Sequence, residues 1–158
     1  MRKSLQILVV VATMLLAPVL FASSASALSH ARFTLTSDPA SAVVDFSHIT
    51  TPPIPGESLT ITENLNDENG RPAGRAVIDC TVVTFTTTDL LLACLAHFYL
   101  TYGTIEGRAV FWTFQHNYPA FIVGGTGVYE GVAGTARIID RAPGDESYIF
   151  NLLSRFTR

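Results

Sequence analysis

Basic side chains are scarce in this chain. Ten Lys and Arg stand against thirteen Asp and Glu over 158 residues, and two of the ten, Arg2 and Lys3, sit at the extreme N-terminus. The rest are scattered, without the clustered Lys and Arg and interleaved aromatics that a phosphate backbone attracts, so nucleic acid is excluded as a partner. Cysteine is limited to Cys80 and Cys94, and the four histidines, His30, His48, His97 and His116, are dispersed. No combination has the spacing of a structural zinc site, and no metal is expected. Helix signals are nearly absent, and no long apolar run follows residue 21.

The one long apolar run is N-terminal. After Arg2 and Lys3 it extends from Leu5 to Phe21, then dissolves into Ala22-Ser23-Ser24-Ala25-Ser26-Ala27. A positive start, an apolar middle and a small-x-small end define a secretory signal peptide, with cleavage expected after Ala27. Residues 1–27 are therefore read as signal peptide and 28–158 as one secreted domain, large enough to bury a core of its own. No membrane association is expected once the signal is removed. In an exported protein an even cysteine count favours a Cys80–Cys94 disulfide, two free buried thiols being the other reading.

What is abundant is the pattern of β-strands. Ser58 to Leu65 alternates polar and apolar residues with the period of a half-buried strand. Asp67-Glu68-Asn69-Gly70 supplies a hairpin turn, since Asn-Gly accepts the positive φ such turns use. Arg75 to Thr88 is rich in Val, Thr, Ile and Phe, which suit a pleated surface. Leu90–Tyr102, Ile105–Gln115, Phe121–Val123, Thr135–Asp140 and Ser147–Phe156 complete the set, and Ala42–Phe46 is a further candidate. Thr51-Pro52-Pro53-Ile54-Pro55-Gly56 predicts a stiff, exposed loop. Seven or eight strands separated by short turns imply an all-β fold, an antiparallel barrel or sandwich. Leu90–Leu95 is apolar on both faces, as a strand covered outside by a second subunit or a short buried helix would be; the strand is favoured because the Arg75–Thr88 strand would otherwise lose its hairpin partner.

The stretch Phe121 to Ile138, FIVGGTGVYEGVAGTARI, poses the question of a phosphate cradle. A dinucleotide fingerprint would need a third glycine at position 130, which is Glu130, and a helix behind it. The following residues make a poor helix, because each interior Gly costs about 1 kcal/mol relative to Ala. The glycines are expected to serve tight corners and close strand approach, and no cofactor is implied.

In its order of residues, Gly124-Gly125-Thr126-Gly127-Val128-Tyr129-Glu130-Gly131-Val132-Ala133-Gly134 resembles the signature of the allene oxide cyclase and dirigent barrel superfamily. Gly56-Glu57, the Ile61–Leu65 strand, Gly74 with Cys80, and Phe98–Ile105 follow the same pattern. The similarity spans roughly Val43 to Phe156 and is nearest to bacterial secreted members with an allene-oxide-cyclase-like barrel. It implies an eight-stranded antiparallel β-barrel of calycin-like form, with an apolar lumen, assembled as a dimer or trimer. It further implies binding of a hydrophobic small molecule whose stereoselective cyclisation or isomerisation is steered without a cofactor. The alternative is a dirigent-like, non-catalytic stereochemical guide or a lipophilic-ligand carrier.

The resemblance carries over to particular positions. Asp45 matches the cyclases' key acid, and Ser47 stands where they have asparagine. Glu63 matches a polar pocket position, and alternation places it on the face of Leu59, Ile61 and Leu65. A charged residue on an apolar face is informative because such groups are seldom buried without a reason. Asp45 and Glu63 are thus the candidate catalytic pair, with Ser47, Ile61, Tyr99, Phe111 and Trp112 as candidate substrate-binding residues. Phe111 replaces a pocket tyrosine, and Cys80 matches a pocket cysteine. Glu130 and Ala133 stand where dirigent proteins usually carry arginine. Asp140, Arg141, Asp145 and Glu146 read as a solvated hairpin tip.

Overall fold

The computed structural model describes residues 28–141 and 144–155; the expected signal segment, 1–27, lies outside them, as do Pro143 and Phe156. Nine strands follow one another: β1 (Leu28–Ser37), β2 (Val43–Asp45), β3 (Ser58–Asn66), β4 (Pro72–Phe85), β5 (Leu90–Leu100), β6 (Gly103–Trp112), β7 (Asn117–Gly125), β8 (Ala133–Asp140) and β9 (Glu146–Arg155). All pairings are antiparallel, and each strand from β3 to β8 pairs with its successor. Strand β1 pairs along β9 and meets β3 at Thr36–Asn66 and Ser37–Leu65, which closes the sheet on itself. Beyond a turn at 39–41, β2 continues along β3. Thus β1 and β2 share one position of a closed eight-stranded barrel.

The expected strands are all present, with two informative extensions. Strand β1 was not among them, although Phe33, Leu35 and Ser37 alternate inward between exposed or half-exposed neighbours. Strand β7 begins at Asn117, four residues before the expected start, despite Pro119. The β6 ladder stops at Arg108–Phe121, so Pro119 lies beyond it and denies β6 no partner. At the Asn-Gly turn only Gly70 takes positive φ (74°), while Asp67 Oδ1 accepts the Asn69 and Arg71 amides.

Inward side chains fill the barrel in two clusters. The larger holds Leu65, Phe98, Ile105, Phe150 and Leu152; Phe98 meets both Tyr148 and Phe150 edge-on at 5.1 Å. The smaller holds Leu59, Val82, Leu92 and a disulfide between Cys80 and Cys94, opposite each other on β4 and β5. The bond closes a loop with a sequence separation of 14, so its removal should cost about 3 kcal/mol. Denaturant unfolding of the Cys80→Ala/Cys94→Ala protein measures this directly; an unchanged midpoint would assign the bond no stabilising role.

The glycine stretch is a corner, as its residue types imply. After β7, a 3-10 turn at Gly127–Tyr129 packs onto the β5–β6 hairpin. Gly127 has φ of 62°, and a Cβ there would collide with the Tyr102 carbonyl oxygen. At Gly125 a Cβ would fall 2.6 Å from the carbonyl oxygens of both Thr104 and Tyr129. Gly124 is open. Gly127→Ala should therefore destabilise by more than about 2 kcal/mol, through left-handed strain and overlap together. Gly124→Ala should change stability little, and chemical denaturation of the pair checks the contrast. Among the described residues no helix is long and apolar enough to cross a membrane.

Candidate functional site

Between the two clusters the barrel is not filled. Strands β5 to β8 each turn a small residue inward: Ala96 opposite Gly107, and Ala120 opposite Ala136. Where larger side chains would meet, an apolar lumen remains, with about 50 Å³ open to the centre of a water-sized sphere. That is room for several waters or one small ring. Ile61, Ile78 and Phe98 form part of its wall, and Phe111 lies flat on Tyr118, ring centres 3.9 Å apart.

The polar groups of the lumen come from β7, β9 and β3. Tyr118, Glu146 and Tyr148 line it. Glu63 points into the barrel from β3, on the face of Ile61, and is only 1 % exposed. It meets the lumen through Tyr148, whose hydroxyl donates to Glu63 Oε1. Glu63 Oε2 has no hydrogen-bond partner. Burial pushes the Glu63 carboxyl from 4.5 up to about 8; the Tyr148 hydrogen bond opposes this, and the nearby Glu146 raises it further. Glu63 is thus protonated at neutral pH. Burial raises Tyr148 well above the usual phenol range, reinforced by Glu63, and raises Tyr118 likewise, reinforced by Asp140. Both phenols stay neutral.

Glu146 is held at the seam where β1 turns away from β9. Its backbone amide donates to Ser37 Oγ at 2.7 Å, and its Oε2 lies 2.9 Å from the same oxygen. Ser37 Oγ is also 2.6 Å from the Gly144 carbonyl. The expectation of a solvated tip at 140–146 therefore needs correction. Arg141 and Asp145 do pair outside, 3.4 Å apart, but β9 starts at Glu146, and strand alternation sends Glu146, with Tyr148 and Phe150, inward.

The other candidates are placed as follows. Asp45 is exposed on β2, where its carboxylate accepts the Ser47 amide at 2.8 Å. That hydrogen bond holds its pKa below the ordinary aspartate value. The structure thus does not bring Asp45 and Glu63 together, because β2 rides at the end of the ladder beyond the 39–41 turn; Ser47 is exposed with it. Ile61 and Phe111 line the lumen. Tyr99 and Trp112 lie on the opposite face from Phe98 and Phe111: Tyr99 is 44 % exposed beneath Arg75, and Trp112 stacks on Phe114. The disulfide occupies both thiols. Tyr118 and Tyr148 were not singled out in the sequence, and Glu146 was read only as part of the hairpin tip. Alternation within β9, where Tyr148, Phe150 and Leu152 share a face, was the available signal for Tyr148. Among the described residues no group of three or more potential metal ligands converges.

No protein-family model matches this sequence, and no curated protein matches it. Solved structures do. A pyocyanin demethylase superposes with a TM-score of 0.64 at 21% identity, over 78% of this chain and 99% of that one. An exo-specific intermolecular Diels-Alderase gives 0.55 at 16%, over 80% and 99%. A pterocarpan synthase dirigent protein gives 0.53 at 17%, over 90% and 97%. At these identities the likeness is one of fold: this chain has the closed β-barrel that dirigent proteins and Diels-Alderases share.

Proposed function

We propose that the barrel binds an apolar small molecule in its lumen and steers its cyclisation or isomerisation by acid catalysis, without a cofactor. The observation that carries this reading is the buried Glu63 carboxyl, its pKa pushed up to about 8 by burial, joined to a lumen-lining phenol. In that contact Tyr148 donates to Oε1, or accepts the acid's proton and turns its own toward a bound molecule. Tyr148 is then the catalytic donor and Glu63 the positioning residue that supplies it. Protonating a carbonyl, epoxide or alkene builds positive charge on the substrate, and Glu146 lies where a carboxylate can stabilise that charge. The apolar walls confine the chain so that one face reacts, a contribution of orientation. The fold shared with a Diels-Alderase and a dirigent protein supports a barrel that directs ring formation or stereochemistry.

The reading is tested by incubating the protein with conjugated dienones and allylic epoxides and following products by chiral chromatography. The expected result is an enantiomeric excess that Tyr148→Phe abolishes; racemic product at the buffer rate would overturn it. Export and assembly belong to the same proposal. The disulfide suits an oxidising compartment, and Val110, Phe114 and Phe121 are each more than 60 % exposed on β6, its following loop and β7. Such a patch suits a subunit contact, to be read by light scattering of the purified protein.

A further inference from the structure

The lumen holds carboxyl groups against aromatic faces, and among the described residues neither acid forms an ion pair. Glu146 borders the open space, and Glu63 is buried behind Tyr148 with one oxygen unpartnered. The titratable groups around Glu63 are Tyr148 and Glu146 on β9 and Tyr118 on β7, with Asp140 of β8 acting on Tyr118. None is basic. Arg141, near in sequence, is turned to Asp145 and to Ser147 Oγ at 2.9 Å. Arg108 borders the lumen from β6, but it is exposed, and strand alternation turns its side chain outward between the inward-facing Gly107 and Ala109. His97 faces Glu106, 4.0 Å away.

An inorganic ion does not fit this vacancy of charge. Hard cations need six or more oxygen ligands or retained waters, and the surrounding wall is Ile, Ala and Phe. An organic cation fits on both counts. Its positive charge would face Glu146 and the Tyr148–Glu63 pair, while its apolar surface lies on Phe111, Tyr118 and Phe98. Aromatic faces attract such cations, most strongly when water is excluded.

We propose that the lumen is a binding site for a compact, delocalised organic cation, aromatic or allylic, held between Glu146 and the Tyr148–Glu63 pair. This rests on the acid-catalysis reading, because such a cation has the charge of the intermediate that protonation by Tyr148 would form. A site complementary to that intermediate binds its stable mimic more tightly than the neutral precursor. Entry of a permanent positive charge would also drive Glu63 to ionise and release its proton.

The test uses two single-ring probes of one shape, N-methylpyridinium and toluene, with benzoate as the anionic control. Calorimetric titration in buffers of different ionisation enthalpy reads affinity and proton release together. At pH 8 the cation should bind at least tenfold more tightly than its neutral isostere, and the anion should not bind. Below pH 8 its affinity should rise about tenfold per pH unit, with close to one proton released per cation near pH 7. Glu63→Gln should abolish the proton release and flatten the pH dependence, and Glu146→Gln should weaken the cation preference while circular dichroism confirms the fold. Equal binding of cation and isostere, binding of neither, or unchanged proton release in Glu63→Gln overturns the inference. Turnover of neutral substrates without cation preference sinks this inference alone. Cation binding with no turnover of any conjugated substrate sinks the catalytic reading and leaves this one standing.

Discussion

Replacing Tyr148 with Phe should lower turnover by roughly 10²- to 10⁴-fold, the usual contribution of a positioned general acid. The substitution removes one oxygen and keeps the ring that meets Phe98 edge-on, so packing is retained. Glu63→Gln should cost about 100-fold, because an amide cannot pass a proton to the phenol. The two differ in their pH profiles. In the wild type the acid form is the active one, so activity should fall above pH 8, where Glu63 ionises. In Glu63→Gln the residual activity should lack that alkaline limb. In Tyr148→Phe the carboxyl loses the hydrogen bond that lowers its pKa, and any residual limb should move to higher pH. A limb at the same pH in all three proteins would assign it to another group and remove Glu63 from the mechanism.

The second large effect is on stability. Glu63 has a folded-state pKa raised from 4.5 to about 8, so between these values the native state binds a proton that the unfolded chain has released. Its stabilising contribution is complete below pH 4.5, declines as pH rises, and is gone above about 8. The full loss comes to roughly 5 kcal/mol, or about 15 °C in melting temperature for a domain of this size. Glu63→Gln removes the ionisation, so its melting temperature should stay level from pH 5 to pH 8 and exceed the wild type at pH 8. Asp45, Glu57 and Asp67 act in the opposite sense: their carboxylates accept backbone hydrogen bonds and have lowered pKa values. Their contribution is lost only in acid below the ordinary carboxylate range, so the two windows do not overlap. Thermal melts of both proteins across pH decide the point. Parallel curves would mean that Glu63 titrates normally.

Much of the barrel was legible because alternation is a local property. Ser58–Leu65 shows its period in eight residues, and the Asn-Gly turn and the glycine corner declare themselves by residue type. Glu63 was legible for the same reason: a carboxylate on the face of Leu59, Ile61 and Leu65 stands out against its neighbours. Its partner was not. Tyr148 lies 85 residues away, and only closure of β9 onto β1, and of β1 onto β3, brings the phenol to the acid. Parity alone separates Phe111 from Trp112, and Phe98 from Tyr99, but cannot say which parity is inward. Closure of the barrel settles that for both: Phe98 is buried and Phe111 lines the lumen. Asp45 illustrates the limit of resemblance. The segment at 39–41 turns the chain out of line with β1, and the side chain that a continuous strand would carry inward instead caps Ser47 in solvent. Glu146 looked like a turn residue because Arg141 and Asp145 surround it. One residue of strand start moved it to the lumen.

The account depends on Glu63 holding its proton at neutral pH beside an apolar lumen. NMR titration of the Glu63 side-chain carboxyl carbon, assigned by its loss in Glu63→Gln, measures that state without reference to any substrate. A midpoint near 8 is the predicted result. A midpoint near 4.5 would show an ordinary, ionised carboxylate, and would contradict both the proton relay and the pH dependence derived from it.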